Sequence, residues 1–511
     1  MHLKMNSPAV AHHGKTVIGF NWIAGKEVEG DLPSFDSKSP VDSRDTVGIF
    51  PECGERDVER AAKAAAAAFQ GWSGRPWSER ANLVGHIGEL LARHREKLAA
   101  ILTREVGKPA REAMAEVQEA AATCAYFAAE GRRLLDAAAG PGQAAYRRPL
   151  GVMGLLSGNA RPLAAPAAML VPALLCGDTV VWKPSEDAPT VAYLFIRCMM
   201  DAGLPPGVVN VVNGKRAGGC GKHFLAGIDK GFYQKVCFSG STALGRLVGE
   251  MAGRNLVSPT FELGGRNSMI VMPDADLDAA VRAAVADAFG CAGQHRQALA
   301  NVIVHRDVAG AFRERLLGAV DALTVGNPVS DPEVAYGPMI NAGLAKAFEE
   351  HWQAGREEGA ALLRGGDRWT EENRTGQVLG FVGKGHYMQP CVWDQVTPDM
   401  RLFREELYGP SVNLVAAEDF DQALAWANGT GPAPCASLFT ENRRWIARNK
   451  RGANAGLVSI NQPISGAREP QDRVIDGYVR WQTVQEGCPQ EPADSGHGSG
   501  AHYEASHWDR L

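Results

Sequence analysis

The chain is short of the features that would place it in a membrane, on a nucleic acid or in an oxidising compartment. Its most apolar stretch, Leu163 to Cys176, is interrupted by Pro166 and Pro172 and falls short of the ~20 residues that span a bilayer. Met1 to Val17 has no apolar centre of the secretory type and carries His12, His13 and Lys15 instead. Basic residues are not in excess: 53 Lys and Arg stand against 58 Asp and Glu, a net charge of −5. That balance excludes the basic footprint of a nucleic-acid binder. The 10 cysteines, at 53, 124, 176, 198, 220, 237, 291, 391, 435 and 488, form no Cys-x-x-Cys and no Cys/His set at zinc spacing. No metal site is expected. Reduced, separately buried thiols in a cytoplasmic protein are. Internal repeats are also missing.

What is present is length. The 511 residues exceed the ~250–300 that one core can organise, so two or three domains are expected. Early in the chain, Glu55 to Phe69 reads as a helix with an alanine run. Ser78 to Val106 spaces Leu83, Ile87, Leu90, Leu91, Leu98 and Leu102 as one helix does, with Ser78 at its N-cap. Gly107-Lys108-Pro109 ends it, and Pro109 to Leu135 reads as a third helix. Asp136 to Arg148 reads as irregular.

From Gly151 the pattern changes. Short apolar runs such as Gly151 to Leu156, Thr179 to Lys183, Lys235 to Phe238 and Met269 to Met272 alternate with helical stretches. Non-alternating strands between helices predict an α/β fold on parallel sheets covered on both faces. A second such region runs from about Asp278 to Ile460. The Gly-, Ser- and His-rich tail after about Gln485 is expected to be disordered.

Several motifs then fall in a fixed order. Strand Gly151–Leu156 leads into Ser157-Gly158-Asn159-Ala160-Arg161-Pro162. Gly177-Asp-Thr-Val-Val-Trp-Lys183-Pro-Ser-Glu186 follows, then Phe238-Ser-Gly240-Ser241-Thr-Ala-Leu-Gly245. Glu262-Leu-Gly-Gly265, Gly293-Gln294 and Glu406-Leu-Tyr408-Gly409-Pro410 complete the series. Together they resemble the aldehyde dehydrogenase superfamily over roughly residues 20–465.

The resemblance implies a Rossmann-type cofactor domain at 16–130 and 150–263 and an α/β catalytic domain at 264–460. It also implies a small oligomerisation arm at 131–149 and 461–485, in a homo-oligomer. The implied reaction is oxidation of an aldehyde to a carboxylic acid with NAD. Lys183 and Glu186 would hold the adenosine ribose, and the Glu186 carboxylate favours NAD over NADP. Gly240, Ser241 and Gly245 open a helix whose amides suit a pyrophosphate. Glu406 and Tyr408 would position the nicotinamide ribose and ring. Asn159 would stabilise the oxyanion, and Glu262 would be the general base.

The pattern breaks at the nucleophile. The family places a cysteine in Gly-Gln-x-Cys; here the segment is Gly293-Gln294-His295-Arg296, and Arg296 lies 34 residues after Glu262, where that cysteine belongs. A guanidinium stays protonated and cannot attack a carbonyl. Cys291 and Cys237 are the thiols nearest the motifs. Cys291, about 140° away on a helix, should point elsewhere. Gly158 stands where the family has tryptophan, and Ala160-Arg161 where it has one aromatic. The family's Pro-Phe-Gly-Gly closing segment is replaced by Ala467-Arg-Glu-Pro-Gln-Asp472, which leaves the last strand of the arm without its pattern.

Three readings of Arg296 stay open: an ion pair with Glu262, joint capture of a small acid with Arg161, and drift at a disused site. Two functions follow. One is an impaired dehydrogenase, with direct hydride transfer from a hydrated aldehyde as its remaining route. The other is a non-catalytic protein that binds NAD, a small acid or a protein partner.

Overall fold

Strands Val152–Leu156 and Thr179–Lys183 are buried along their whole lengths, as strands covered by helices on both faces must be. They lie at the centre of the first of two seven-stranded sheets. The computed structural model describes residues 15–135, 138–140, 143–431, 433–465 and 471–485. The first sheet runs Ser258–Leu263, Lys235–Gly240, Val152–Leu156, Thr179–Lys183, Val209–Val211, Asn21–Ile23 and Lys26–Val28. Its first five strands are parallel, and the last two join antiparallel.

The second sheet runs Ala361–Arg364, Cys391–Asp394, Ser411–Ala417, Leu299–His305, Asn267–Val271, Ala433–Phe439 and Ala455–Ile460. All its pairings are parallel except the first. The expected α/β architecture is therefore present.

The early helices differ from expectation in two places, the first being that Pro76 and not Ser78 is the N-cap of the second helix, so Ser78 lies inside its first turn. Helix α1 spans Glu55–Ser73. The stretch read as one helix is two, α2 (Trp77–Arg93) and α3 (Arg95–Val106). The break is at His94, whose φ of −99° and ψ of 13° lie outside the helical well. No Gly or Pro marks it, and apolar spacing continues on both sides. Helix α4 covers Ala110–Leu135.

The segment read as irregular, 136–148, holds two strands, Ala138–Gly140 and Gln143–Pro149. The second pairs antiparallel with Val479–Gln485. The last strand thus forms without the family's closing segment. Residues 466–470 and the tail from 486, where disorder was expected, lie outside the described residues.

Helices α5 (Ala164–Cys176) and α6 (Pro189–Asp201) cover the first sheet. Trp182, fully buried, donates its indole N–H to Ser157 Oγ at 2.9 Å, fixing the strand end beside Lys183 to the turn before Gly158. Nine cysteines are free thiols, eight of them buried and Cys291 partly so. The tenth, Cys488, falls outside the described residues.

Glu105, at the end of α3, is buried and accepts from the Thr190 and Val191 amides at 2.9 Å and from Ser37 Oγ at 2.7 Å. Burial pushes its carboxyl up to about 7 despite these donors. Burial likewise pushes Asp178 up to about 7. A carboxyl raised on folding holds its proton in the folded state where the unfolded chain has released it, between about 4 and 7, so stability falls as pH rises through that window. The urea midpoint is expected to decline from about pH 4 to 7, and Glu105→Gln should flatten the decline. An unchanged slope in the variant would show that Glu105 does not carry it.

Candidate functional site

Helix α8 (Thr242–Arg254) follows strand Lys235–Gly240, after α7 (Cys220–Asp229). Ser241 is its N-cap, accepting from the Leu244 amide at 3.5 Å. Beside it opens a cavity of about 500 Å3, at the carboxyl ends of the parallel strands. Gly240, Ser241, Asn159, Glu262, Arg296 and Tyr408 all line it. These six expected site residues come from parts of the sequence up to 249 positions apart.

The others stand differently. Glu406 accepts from the Thr242 amide at 2.9 Å and from the Tyr408 hydroxyl at 2.8 Å. This carboxylate approaches so closely that a Cβ on Gly264 would come within 1.8 Å of it. Lys183 is buried with its ammonium donating to the Pro184 carbonyl at 2.9 Å. Glu186 accepts from the backbone N–H of Arg216, itself a lining residue. Gly245 packs rather than lines: a Cβ there would sit 2.6 Å from Leu263 Cδ2. Its place is close helix–strand contact.

Arg296 and Glu262 form an ion pair, Nε to Oε2 at 2.7 Å, with both side chains about a quarter exposed, at 24% and 25%. The first of the three readings of Arg296 is therefore the one seen. The pair is half-buried, so removing either partner should cost about 1–2 kcal/mol, between the values for surface and buried pairs. A double-mutant cycle with Arg296→Ala and Glu262→Ala, followed by urea unfolding, checks this. Additive losses would mean no coupling.

Asn159 donates its side-chain amide to Asp187 Oδ2 at 2.8 Å, and Asn341 donates to the same oxygen at 3.1 Å. Burial raises the Asp187 carboxyl even with these two donors. One of the two amide protons expected at an oxyanion is thus committed to Asp187.

The turn before Arg296 is not helical. Cys291 (φ 48°) and Ala292 (φ 54°) are both left-handed, a conformation rare outside glycine. Gly293 (φ +65°) follows, and a Cβ there would meet the Gly409 carbonyl at 2.0 Å. The expectation that Cys291 points away holds, for this reason rather than for helical phase. Its thiol donates to Glu112 Oε2 at 2.6 Å, and its N–H donates to the same oxygen at 2.9 Å. Burial and the neighbouring Glu112 push the thiol well up, so it is not a poised thiolate. Cys237 is buried against Met153 and Tyr478, and burial raises it to about 11.

A second cavity of about 530 Å3 lies on the other side of the loop that carries Arg161. Arg161 and Glu119 line both cavities and pair with each other. Behind them Lys108 pairs with Glu116 and donates to the Ala160 carbonyl at 3.0 Å. Glu116 also accepts from the Leu163 and Ala164 amides at 2.9 and 3.1 Å, at the start of α5. His295 faces this cavity, and burial with Arg161 and Lys108 nearby lowers it to about 3, so it is neutral.

Sequence reading passed over Glu112, Glu116 and Glu119. Spaced four and three apart on α4, they look like a solvated face, yet they turn inward onto the Arg161 loop. Asp187, Asn341 and Arg216 were also passed over, and no local pattern marks them. Among the described residues no group of three or more His, Cys, Asp or Glu side chains is placed to hold a metal ion. None of the helices described is long and apolar enough to cross a membrane.

Comparison with known proteins agrees with the ordered motifs. The profile described as "Aldehyde dehydrogenase family" matches residues 28–472. Alpha-ketoglutaric semialdehyde dehydrogenase of Bacillus subtilis is 34% identical over 454 residues, 88% of this chain and 90% of that one. Malonate-semialdehyde dehydrogenase 1 of Geobacillus kaustophilus is 32% identical, covering 88% of each chain. The crystal structure of an NAD-dependent aldehyde dehydrogenase from Sinorhizobium meliloti superposes with a TM-score of 0.87 at 29% identity, over 97% of this chain and 99% of that one. Motif order, two parallel sheets and matches along most of the length converge, and the chain belongs to the aldehyde dehydrogenase family.

Proposed function

We propose that this family member binds a nicotinamide dinucleotide but has lost the covalent route from aldehyde to acid. The observation that carries the reading is the ion pair between Arg296 and Glu262. It puts a non-nucleophilic cation at the nucleophile's position and occupies the carboxylate that would activate water. Neither nearby thiol substitutes, since Cys291 and Cys237 are both held protonated by burial.

The residues suit a dinucleotide. The Gly240-Ser241 turn, the start of α8 and a cavity of about 500 Å3 at the strand ends supply the crevice and amides such a ligand needs. When bound, the nicotinamide ring is the hydride acceptor. Lys183 and Glu186 are assigned to the adenosine end and Tyr408 to the nicotinamide end. In this reading residues 16–130 and 150–263 are the dinucleotide-binding unit and 264–460 the catalytic-type unit. The strand pair around 143–149 and 479–485 is an arm for assembly of a cytoplasmic homo-oligomer.

The relatives named for alpha-ketoglutaric and malonic semialdehydes make short carboxylated aldehydes the first substrates to try. The unmodified chain is expected to bind NAD in calorimetry, and to produce no NADH from such aldehydes above the rate of a Glu262→Ala control. Steady NADH production at ordinary enzyme rates would overturn the proposal. Absence of any dinucleotide binding would remove its first half.

A further inference from the structure

We infer that Cys53 and Cys220 form a redox pair, which hydrogen peroxide joins in a reversible disulfide that pins the loop lying between them. The inference goes beyond the dinucleotide reading and does not depend on it.

The two thiols meet where distant segments cross. Cys53 follows strand Thr46–Glu52 and directly precedes the N-cap of α1, while Cys220 is the first residue of α7. The Cys53 N–H donates to the Asn213 carbonyl at 2.8 Å. The next residue, Gly214, lies so close to Cys220 that a Cβ there would collide with its side chain, 3.1 Å from Sγ. Adjacent residues of one loop therefore touch both cysteines, which is the close approach of two chain segments that a disulfide requires. Both side chains are fully buried in one apolar cluster, and both are free thiols.

Their settings differ in the sense that a redox pair needs. Cys220 opens a helix of 10 residues, and a helix N-terminus favours a thiolate. A hydrogen bond from Cys53 lowers the Cys220 thiol with help from Lys183, against burial, Glu52 and Asp57. Burial and the hydrogen bond to Cys220 push the Cys53 thiol up instead. Cys220 is therefore the attacking sulfur. Its thiolate takes one oxygen of the peroxide, the O–O bond breaks and water leaves, giving a sulfenic acid. The Cys53 sulfur attacks that sulfur, the S–O bond breaks, and a second water leaves with the Cys53 proton. Two thiols lose two electrons, and one peroxide becomes two waters. Access comes through the cover. Lys215, Arg216 and Ala217 are exposed between Gly214 and the Gly218-Gly219 pair, so a short glycine-rich loop lies over the thiols. Its opening admits a small oxidant, and the disulfide then ties both of its ends.

Peroxide treatment of the full chain, followed by alkylation in denaturant and peptide mass mapping, tests this. The expected product is a peptide pair joining Cys53 to Cys220, released by dithiothreitol and formed ahead of oxidation at the other cysteines. In Cys53→Ser, dimedone should label Cys220; in Cys220→Ser, Cys53 should stay unlabelled. Trypsin cleavage after Lys215 and Arg216 should slow several-fold in the oxidised chain and recover on reduction, because cleavage needs the loop to open. If either variant fails to fold, the cross-link and the trypsin rates of the unmodified chain still decide. Absence of the Cys53–Cys220 pair once peroxide has reached another cysteine or a methionine overturns the inference. So does an unchanged trypsin rate in the cross-linked chain, and dimedone on Cys53 rather than Cys220 overturns the assigned attack.

Discussion

Arg296→Cys is expected to produce NADH from short carboxylated aldehydes where the unmodified chain does not. The substitution does two things at once. It places a thiol at the position the family uses, and it releases Glu262 from its 2.7 Å ion pair. A nucleophile is worth ~10⁴–10⁶ in rate in hydrolases that use one. The gain here should be smaller, about 10²–10³, because part of the Asn159 amide is committed to Asp187. The control is Arg296→Ala, which frees Glu262 without supplying sulfur. If alanine gains as much as cysteine, hydride is leaving a hydrated aldehyde directly and the thiol is irrelevant. If neither gains, the missing nucleophile is not what limits this chain.

Glu116→Ala should be the most destabilising change near the site, at about 3–5 kcal/mol. Glu116 and Lys108 are 4% and 5% exposed, and they pair with each other. Removing the carboxylate leaves a buried ammonium without its partner and the Leu163 and Ala164 amides without their acceptor. Glu116→Gln keeps an oxygen for those amides and should lose less. Lys108→Met combined with Glu116→Leu should recover the part of the loss that comes from the stranded ammonium, but not the part from the Leu163 and Ala164 amides, which still lack an acceptor.

Burial pushes the Glu116 carboxyl up, but the attraction of Lys108 and Arg161 and the donated hydrogen bonds outweigh it, leaving it below its ordinary value. Its contribution is therefore present above the unfolded pKa of about 4 and is lost as pH falls below it. Urea unfolding at neutral pH measures the three variants. A loss under about 1 kcal/mol in Glu116→Ala would mean the pair contributes no more than a surface one.

The residues that could be read in the sequence were those whose neighbours fix their register. Arg296 was found because Gly293-Gln294 and Glu262 set its place, and the structure brings it to Glu262. Strands Val152–Leu156 and Thr179–Lys183 were legible because burial on both faces leaves continuous apolar runs. The break at His94 was not, because apolar spacing carries on through α2 and α3 and neither Gly nor Pro announces it. The strand at Gln143–Pro149 was read as irregular because its partner lies more than 300 residues away, and local pattern carries nothing about such pairing. The inward turn of Glu112, Glu116 and Glu119 depends on cations and amides from other segments, so on α4 alone they resemble a wet face.

The pairing of Val479–Gln485 with Gln143–Pro149 also sets an order of events during synthesis. Ile475, Tyr478 and Val479 belong to the same apolar core as Leu155 and Trp182, and the Tyr478 ring lies under the Lys235 ammonium at 4.9 Å. The ribosome must therefore make the whole second sheet before the first can be covered at this side. Until then a face of the earlier half stays open to chaperones or to another copy, and a chain halted before residue 475 leaves that core unfinished.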